Sequence, residues 1–144
     1  MHNANGHKVY IATGYSNKAE HNAVRDECLR YGLELTHDWT LKTHKLPLTP
    51  HAWRTIAKAE KQGVLRAELI IVLLPGGMGT HTELGMALAC DIPVLIHTTD
   101  DDVYYTRNET VPFYQLANVI FSCDAKSIAW HAARTLNRKQ EYLP

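Results

Sequence analysis

Short, nearly continuous apolar runs alternate along this chain with longer segments whose apolar residues recur at helical spacing. The runs lie at residues 8–13 (KVYIAT), 33–36, 68–74 (ELIIVLL), 93–97 and 119–122. Between and after them, residues 19–31, 52–66, 80–90 and 124–138 read as four helices. The first carries its stripe at Ala23, Val24, Cys28 and Leu29. Asn17 and Asp124 stand where helix N-caps belong, and Gly32 where a helix stops. Residues 40–50 read as a polar, proline-bearing loop, and the acidic, threonine-rich 98–108 as a mobile surface loop. Strands alternating with helices predict a doubly wound parallel α/β sheet, Rossmann- or flavodoxin-like, of about five strands. The 144 residues suffice for a single domain, with residues 1–7 expected to be flexible. Right-handed crossovers put all strand ends at one edge, which gathers the turns at 13–17, 37–39 and 75–81 around one crevice.

The third run leads into the richest stretch, LIIVLLPGGMGTHTELGMALA at 69–89. A buried strand there ends in a glycine turn and passes into a helix. Ligands of parallel sheets bind at that end of a strand. Gly76, Gly77 and Gly79 let the backbone approach an anion, and Thr80 and the helix N-terminus offer donors to it. A tight turn that only redirects the chain is the plainer reading. No Lys follows the last glycine and no GxGxxG is present, so a Walker loop and a dinucleotide fingerprint are both disfavoured. Glu83 is read in the first turn of that helix, among Leu84, Met86, Ala87 and Leu88. A buried acid is costly unless paired or used, which makes Glu83 the leading catalytic candidate. A favourable charge on the helix dipole is the alternative. Glu60, two turns before the third strand, is a candidate for the same edge; read alone it is a solvated helix charge near Lys61 and Arg66. Tyr10 sits within the first strand, where a core tyrosine is the default.

Fifteen Lys and Arg balance fifteen Asp and Glu, so no electrostatic footprint for nucleic acid or a membrane surface is present. The longest apolar run is far too short to span a bilayer. MHNANGHK at the start lacks the apolar core of a signal peptide. Cys28, Cys90 and Cys123 form no CxxC and read as buried free thiols, which fits a cytoplasmic location. The nine histidines contain no HxxxH, HxH or HExxH, so no metal site is expected.

Three of these features together resemble the nucleoside 2-deoxyribosyltransferase-like proteins, which include nucleoside transferases and nucleotide N-glycoside hydrolases. YIATGY at 10–15 is similar to the first strand and turn of the family, TELGMALA at 82–89 to its catalytic helix, and Glu60 followed by Ala67-Glu68 to its acid spacing. The family more often has Asp at the position of Glu60. The resemblance implies that Glu83 is the nucleophile, that the Tyr10 hydroxyl holds it, and that Glu60 assists. Six residues before the nucleophile, where the transferases carry an aspartate for the sugar 5′-hydroxyl, this chain has Gly77. A glycine turn offers N–H groups where a carboxylate would repel a phosphate, so a 5′-phosphorylated substrate is expected. Gly14, Tyr15, Asn17, Gly76, Gly77, Gly79 and Thr80 are the expected substrate and phosphate contacts, with His37 and Trp39 bordering the base.

The same resemblance implies no cofactor, a small-molecule nucleotide or nucleoside partner, and a homodimer or larger homo-oligomer. Val111, Phe113, Tyr114, Leu116 and Trp130 are the apolar groups available for such contacts. P-G-G-x-G-T-x-x-E is also similar to the lonely-guy-type phosphoribohydrolases, which cleave the same kind of bond. A nucleotide sensor of this fold without turnover is the alternative from another class.

Overall fold

A computed structural model describes residues 6–42, 44–99, 111–121 and 124–141. Its five strands are β1 (Lys8–Ala12), β2 (Glu34–Leu35), β3 (Leu69–Leu73), β4 (Val94–Thr98) and β5 (Asn118–Phe121). Every pairing is parallel, in the order β2-β1-β3-β4-β5. The described helices are α1 (Lys18–Arg30), α2 (Pro50–Arg66), α3 (Met78–Ala89) and α4 (Ala125–Glu141). This is the expected doubly wound sheet, and the chain reverses its winding between β1 and β3.

Alternation along β1 divides the core into two layers. Val9 and Ile11 face α1 and α4, packing with Val24, Cys28, Ile128 and Leu136. Tyr10 and Ala12 face α2 and α3, packing with Val64, Leu84 and Ala87. Strand β3 is central and buried along its whole length, as its unbroken apolar run requires.

The ends of the elements follow local chemistry. Gly32 adopts φ 79°, and the N–H groups of Gly32 and Leu33 donate to the carbonyls of Leu29 and Cys28, closing α1 in a Schellman turn. Thr49 caps α2 by accepting from the Ala52 N–H, with Pro50 at the first helical position. Asp124 accepts from the Ser127 N–H ahead of α4, as expected of a cap.

Some local expectations are corrected. Asn17 makes no side-chain capping bond to α1. Helix α3 begins at Met78, so Glu83 lies in its second turn rather than its first. Cys90 is exposed rather than buried, while burial pushes the Cys28 thiol up to about 12. At the other edge of the sheet, the Gly6 N–H donates to the Gly32 carbonyl, and Glu68 bonds His7 Nδ1 and the Lys8 N–H. Gly6 and His7 are thus tied to the sheet, whereas residues 1–5 lie outside the described residues. So does most of the expected 98–108 loop, and so does Cys123.

Candidate active site

The carboxyl ends of β1 and β3 diverge at the winding reversal, and two adjoining cavities open there. One, of about 510 Å³, is walled by Thr13, Gly14 and Tyr15 after β1, by Trp53, Ile56, Ala57 and Glu60 of α2, and by residues 77–80 and Glu83 of α3. The other, of about 330 Å³, runs outward past His37, Trp39, Lys42 and His44. Tyr15, Trp39, Ile56 and Glu60 border both.

Glu83 is 8 % exposed, and what remains accessible faces the larger cavity. Burial pushes its pKa up to about 8, Tyr10 pulls it down, and Glu60 pushes it up further. Tyr10 is fully buried beneath it on β1. Burial first, and then the Glu83 charge, raise the Tyr10 pKa well above 10, so the hydroxyl stays a donor at any working pH. Tyr10 and Glu83 interact, but the Tyr10 hydroxyl and Glu83 Oε2 both lack a partner at good hydrogen-bond geometry. Both atoms are buried away from solvent, and of the two side chains only Glu83 lines the cavity. Burial also raises the pKa of Glu60, which His44 partly offsets. Both acids of the crevice are thus held above the ordinary carboxylate range, chiefly by burial.

The glycine turn is built from two kinds of glycine. A Cβ on Gly76 would stand 2.5–2.9 Å from the buried Thr80 side chain, so Gly76 is needed for packing and does not line the cavity. Gly77 and Gly79 have no atom within 4 Å of where a Cβ would be, and both line the cavity. Gly77 lies at φ −88°, within reach of any residue, so what its missing side chain provides is open backbone. The turn is anchored from behind. His81 Nδ1 donates to the Gly77 carbonyl at 2.8 Å, and the Tyr114 hydroxyl, at 2.6 Å, donates to His81 Nε2. Asn17 Nδ2 donates to Thr13 Oγ1 at 3.2 Å and to the Pro75 carbonyl at 3.0 Å, joining the two turns. Asn17 thus ties the walls together rather than lining them.

The fold therefore brings Tyr10, Glu60 and Glu83 together, with Gly14, Tyr15, Trp39, Gly77, Gly79 and Thr80 around them. His37 stands in the outer cavity, and burial lowers its pKa, which favours a neutral ring. Thr13, Trp53, Ile56, Ala57 and Met78 also line the site and were not anticipated. Trp53, Ile56 and Ala57 precede Glu60 by seven, four and three positions, so helical spacing signals them once Glu60 is placed. Among the described residues no group of three or more His, Cys, Asp or Glu side chains is arranged to hold a metal.

A parallel sheet with a buried acid and an open glycine turn at its winding reversal defines a Rossmann-like protein built around a small ligand. The model of the family described as nucleoside 2-deoxyribosyltransferase matches residues 9–139, and the chain belongs to that family. By family it is an enzyme of the nucleoside 2-deoxyribosyltransferase type. No curated protein matches the sequence. Solved structures share the fold across nearly the whole chain. BlsM is 16 % identical, with a TM-score of 0.67 over 98 % of this chain and 99 % of its own. A conserved protein from Enterococcus faecalis V583 is 19 % identical, with a TM-score of 0.62 over 93 % and 99 %. The Clostridium botulinum CMP N-glycosidase BcmB is 18 % identical, with a TM-score of 0.53 over 94 % and 99 %.

Proposed function

We propose that this protein breaks the N-glycosidic bond of a nucleoside 5′-monophosphate, with Glu83 as the nucleophile. The observation that carries the reading is the Glu83 carboxyl, buried beside Tyr10 yet on a residue that lines a cavity shared with Glu60 and an open glycine turn. In this reading the phosphate is held by N–H groups of the 77–80 turn. The sugar then lies over Glu83. The C1′–N bond breaks with its electron pair leaving on the base, through an oxocarbenium-like sugar. A Glu83 oxygen bonds to C1′, and Tyr10 donates toward the same carboxylate to orient it. Glu60 holds a sugar hydroxyl or delivers the proton that the leaving base takes. Water, or a second base, then displaces Glu83 from C1′. His37 and Trp39 flank the base. The glycine at 77 supports a phosphate over a bare 5′-hydroxyl, and the name of BcmB, a CMP N-glycosidase, is in line with this.

The exposed Met78, Phe113 and Leu116 support a homo-oligomer, with its copies in contact beside α3. The free thiols of Cys28 and Cys90 fit a reducing cytoplasm.

Chromatography of a panel of nucleoside monophosphates and matching nucleosides, with and without an added acceptor base, tests the reading. Free base should appear from at least one monophosphate. A new nucleotide formed with the acceptor identifies transfer, and ribose or deoxyribose 5-phosphate identifies hydrolysis. Tight binding with no base released from any member would make the protein a sensor and reject the enzymatic reading.

A further inference from the structure

Trp39 lines both cavities, yet it stands on a short 3-10 turn (Trp39–Leu41) with no strand or long helix to stiffen it. What holds it is a polar network on either side in sequence. Arg25 Nη1 of α1 donates to Asp38 Oδ2 at 3.0 Å and to Asn22 Oδ1 at 3.0 Å, and Arg25 Nε donates to Asp26. Thr40, buried on the other side of Trp39, places its hydroxyl 2.6 Å from Asp38 Oδ1 and 2.9 Å from Asn22 Oδ1, where its one proton serves either acceptor, and donates its N–H to Asp38 Oδ1. The indole is fixed in turn. Its N–H donates to the Ile11 carbonyl at 3.4 Å, and the fully buried His21 ring packs on it at 4.9 Å. The Asp38 side chain is only 9 % exposed, so this ion pair is shielded from salt in a way a surface pair is not.

We propose that Arg25, acting through Asp38, is a positioning residue that sets Trp39 as the wall against which the substrate's heterocyclic base stacks. Arg25 lines neither cavity and touches no substrate. It lies 14 positions before Trp39, and its Nη1 reaches Asp38, which precedes the turn, and Asn22, which also meets Thr40 within it. Because the wall meets the base and not the phosphate or sugar, loosening it weakens binding of the whole nucleotide and leaves binding of the sugar phosphate alone.

The proposal rests on the reading of the site given above, and its test separates the two. On a monophosphate that the wild type cleaves, Arg25→Ala should raise KM about tenfold with kcat within about threefold. The inhibition constant of ribose 5-phosphate should stay unchanged. Trp39→Ala should raise KM at least as far, and the double variant should be no worse than Trp39→Ala, because both changes remove one interaction. Equal losses for ribose 5-phosphate, or multiplicative losses in the double variant, would overturn the proposal. A readout without catalysis comes from Trp39 fluorescence in Trp53→Phe/Trp130→Phe protein. There Arg25→Ala should shift emission to the red and lower anisotropy, and unchanged emission and anisotropy would also overturn it. If no monophosphate is cleaved, the proposed function fails while the fluorescence still decides the role of Arg25. Should Arg25→Ala not fold, Arg25→Lys keeps the charge without the fork and is read the same way at smaller amplitude.

Discussion

Glu83 carries a cost that a structural residue would not be expected to carry. Its carboxyl ionises near 4.5 in an unfolded chain and near 8 in the folded one, chiefly through burial. Between those values the folded state binds a proton that the unfolded state releases, so stability falls as pH rises through that window. The loss is complete above about pH 8 and amounts to a few kcal/mol in order of magnitude. Glu83→Gln keeps the volume and removes the titration. Its melting temperature should therefore exceed that of the wild type by a margin that grows from pH 5 to pH 9, measured by calorimetry. A margin independent of pH would show that Glu83 is not held protonated by burial. The same titration governs turnover, because only the ionised carboxylate attacks C1′. For the wild type, kcat/KM should rise about tenfold per pH unit well below the pKa and level off above about pH 8. A profile that falls through that range would point to a protonated Glu83 as the active form.

At the scale of elements, one close approach holds α2 against the site. Helix α2 meets β1 at Gly63, where a Cβ would lie 2.8 Å from His37 Cβ and 2.9 Å from the Tyr10 ring. That contact seats α2 so that Glu60, one turn earlier, reaches the crevice. Gly63→Ala gains up to ~1 kcal/mol of helix propensity. It must also displace a fully buried ring, at a cost of about 1–3 kcal/mol, and the clash wins. The variant should unfold at lower denaturant concentration and lose activity, and a stability gain would show that α2 is free to shift. The turn at 77–80 offers the opposite case. Since Gly77 has open space, Gly77→Asp fits without strain and adds one charge beside the proposed phosphate. It should weaken monophosphates at least tenfold more than the matching nucleosides in binding assays. Equal losses for both would make the turn merely structural.

These elements also show what could be read from the sequence. The unbroken apolar run of β3 and the acid set in the apolar face of α3 are local patterns, and both were legible. The start of α3 at Met78 was not, since a glycine in the first turn counts against a helix there. Nor were the bond from Asn17 to Pro75, the approach of Gly63 to Tyr10, or the reach of Arg25 to Asp38. Each depends on residues brought together by the fold, and no periodicity records that.

The molecule as a whole has one face whose surface chemistry is unusual for an isolated chain. Met78 is 91 % exposed, Phe113 58 % and Leu116 69 %, and a cavity between α3 and the 112–116 segment opens among Met78, Val111 and Phe113. Tyr114 of the same segment turns inward and is buried, so the apolar cluster read from the sequence divides between core and surface. Trp130 is covered on its own helix by Arg134, 5.0 Å above its ring, and lies apart from that face. Light scattering at micromolar concentration should give a mass of at least two chains, and Phe113→Glu should lower it. A single-chain mass with full activity would rule out a shared site.

The central claim is that Glu83 breaks the bond between sugar and base. Its most direct test is release of free base from the best monophosphate at pH 9, wild type beside Glu83→Gln. The account predicts that the variant binds that monophosphate within a few fold of the wild type and releases base on the order of 10³-fold more slowly or less. Release by Glu83→Gln within a few fold of the wild-type rate would contradict it.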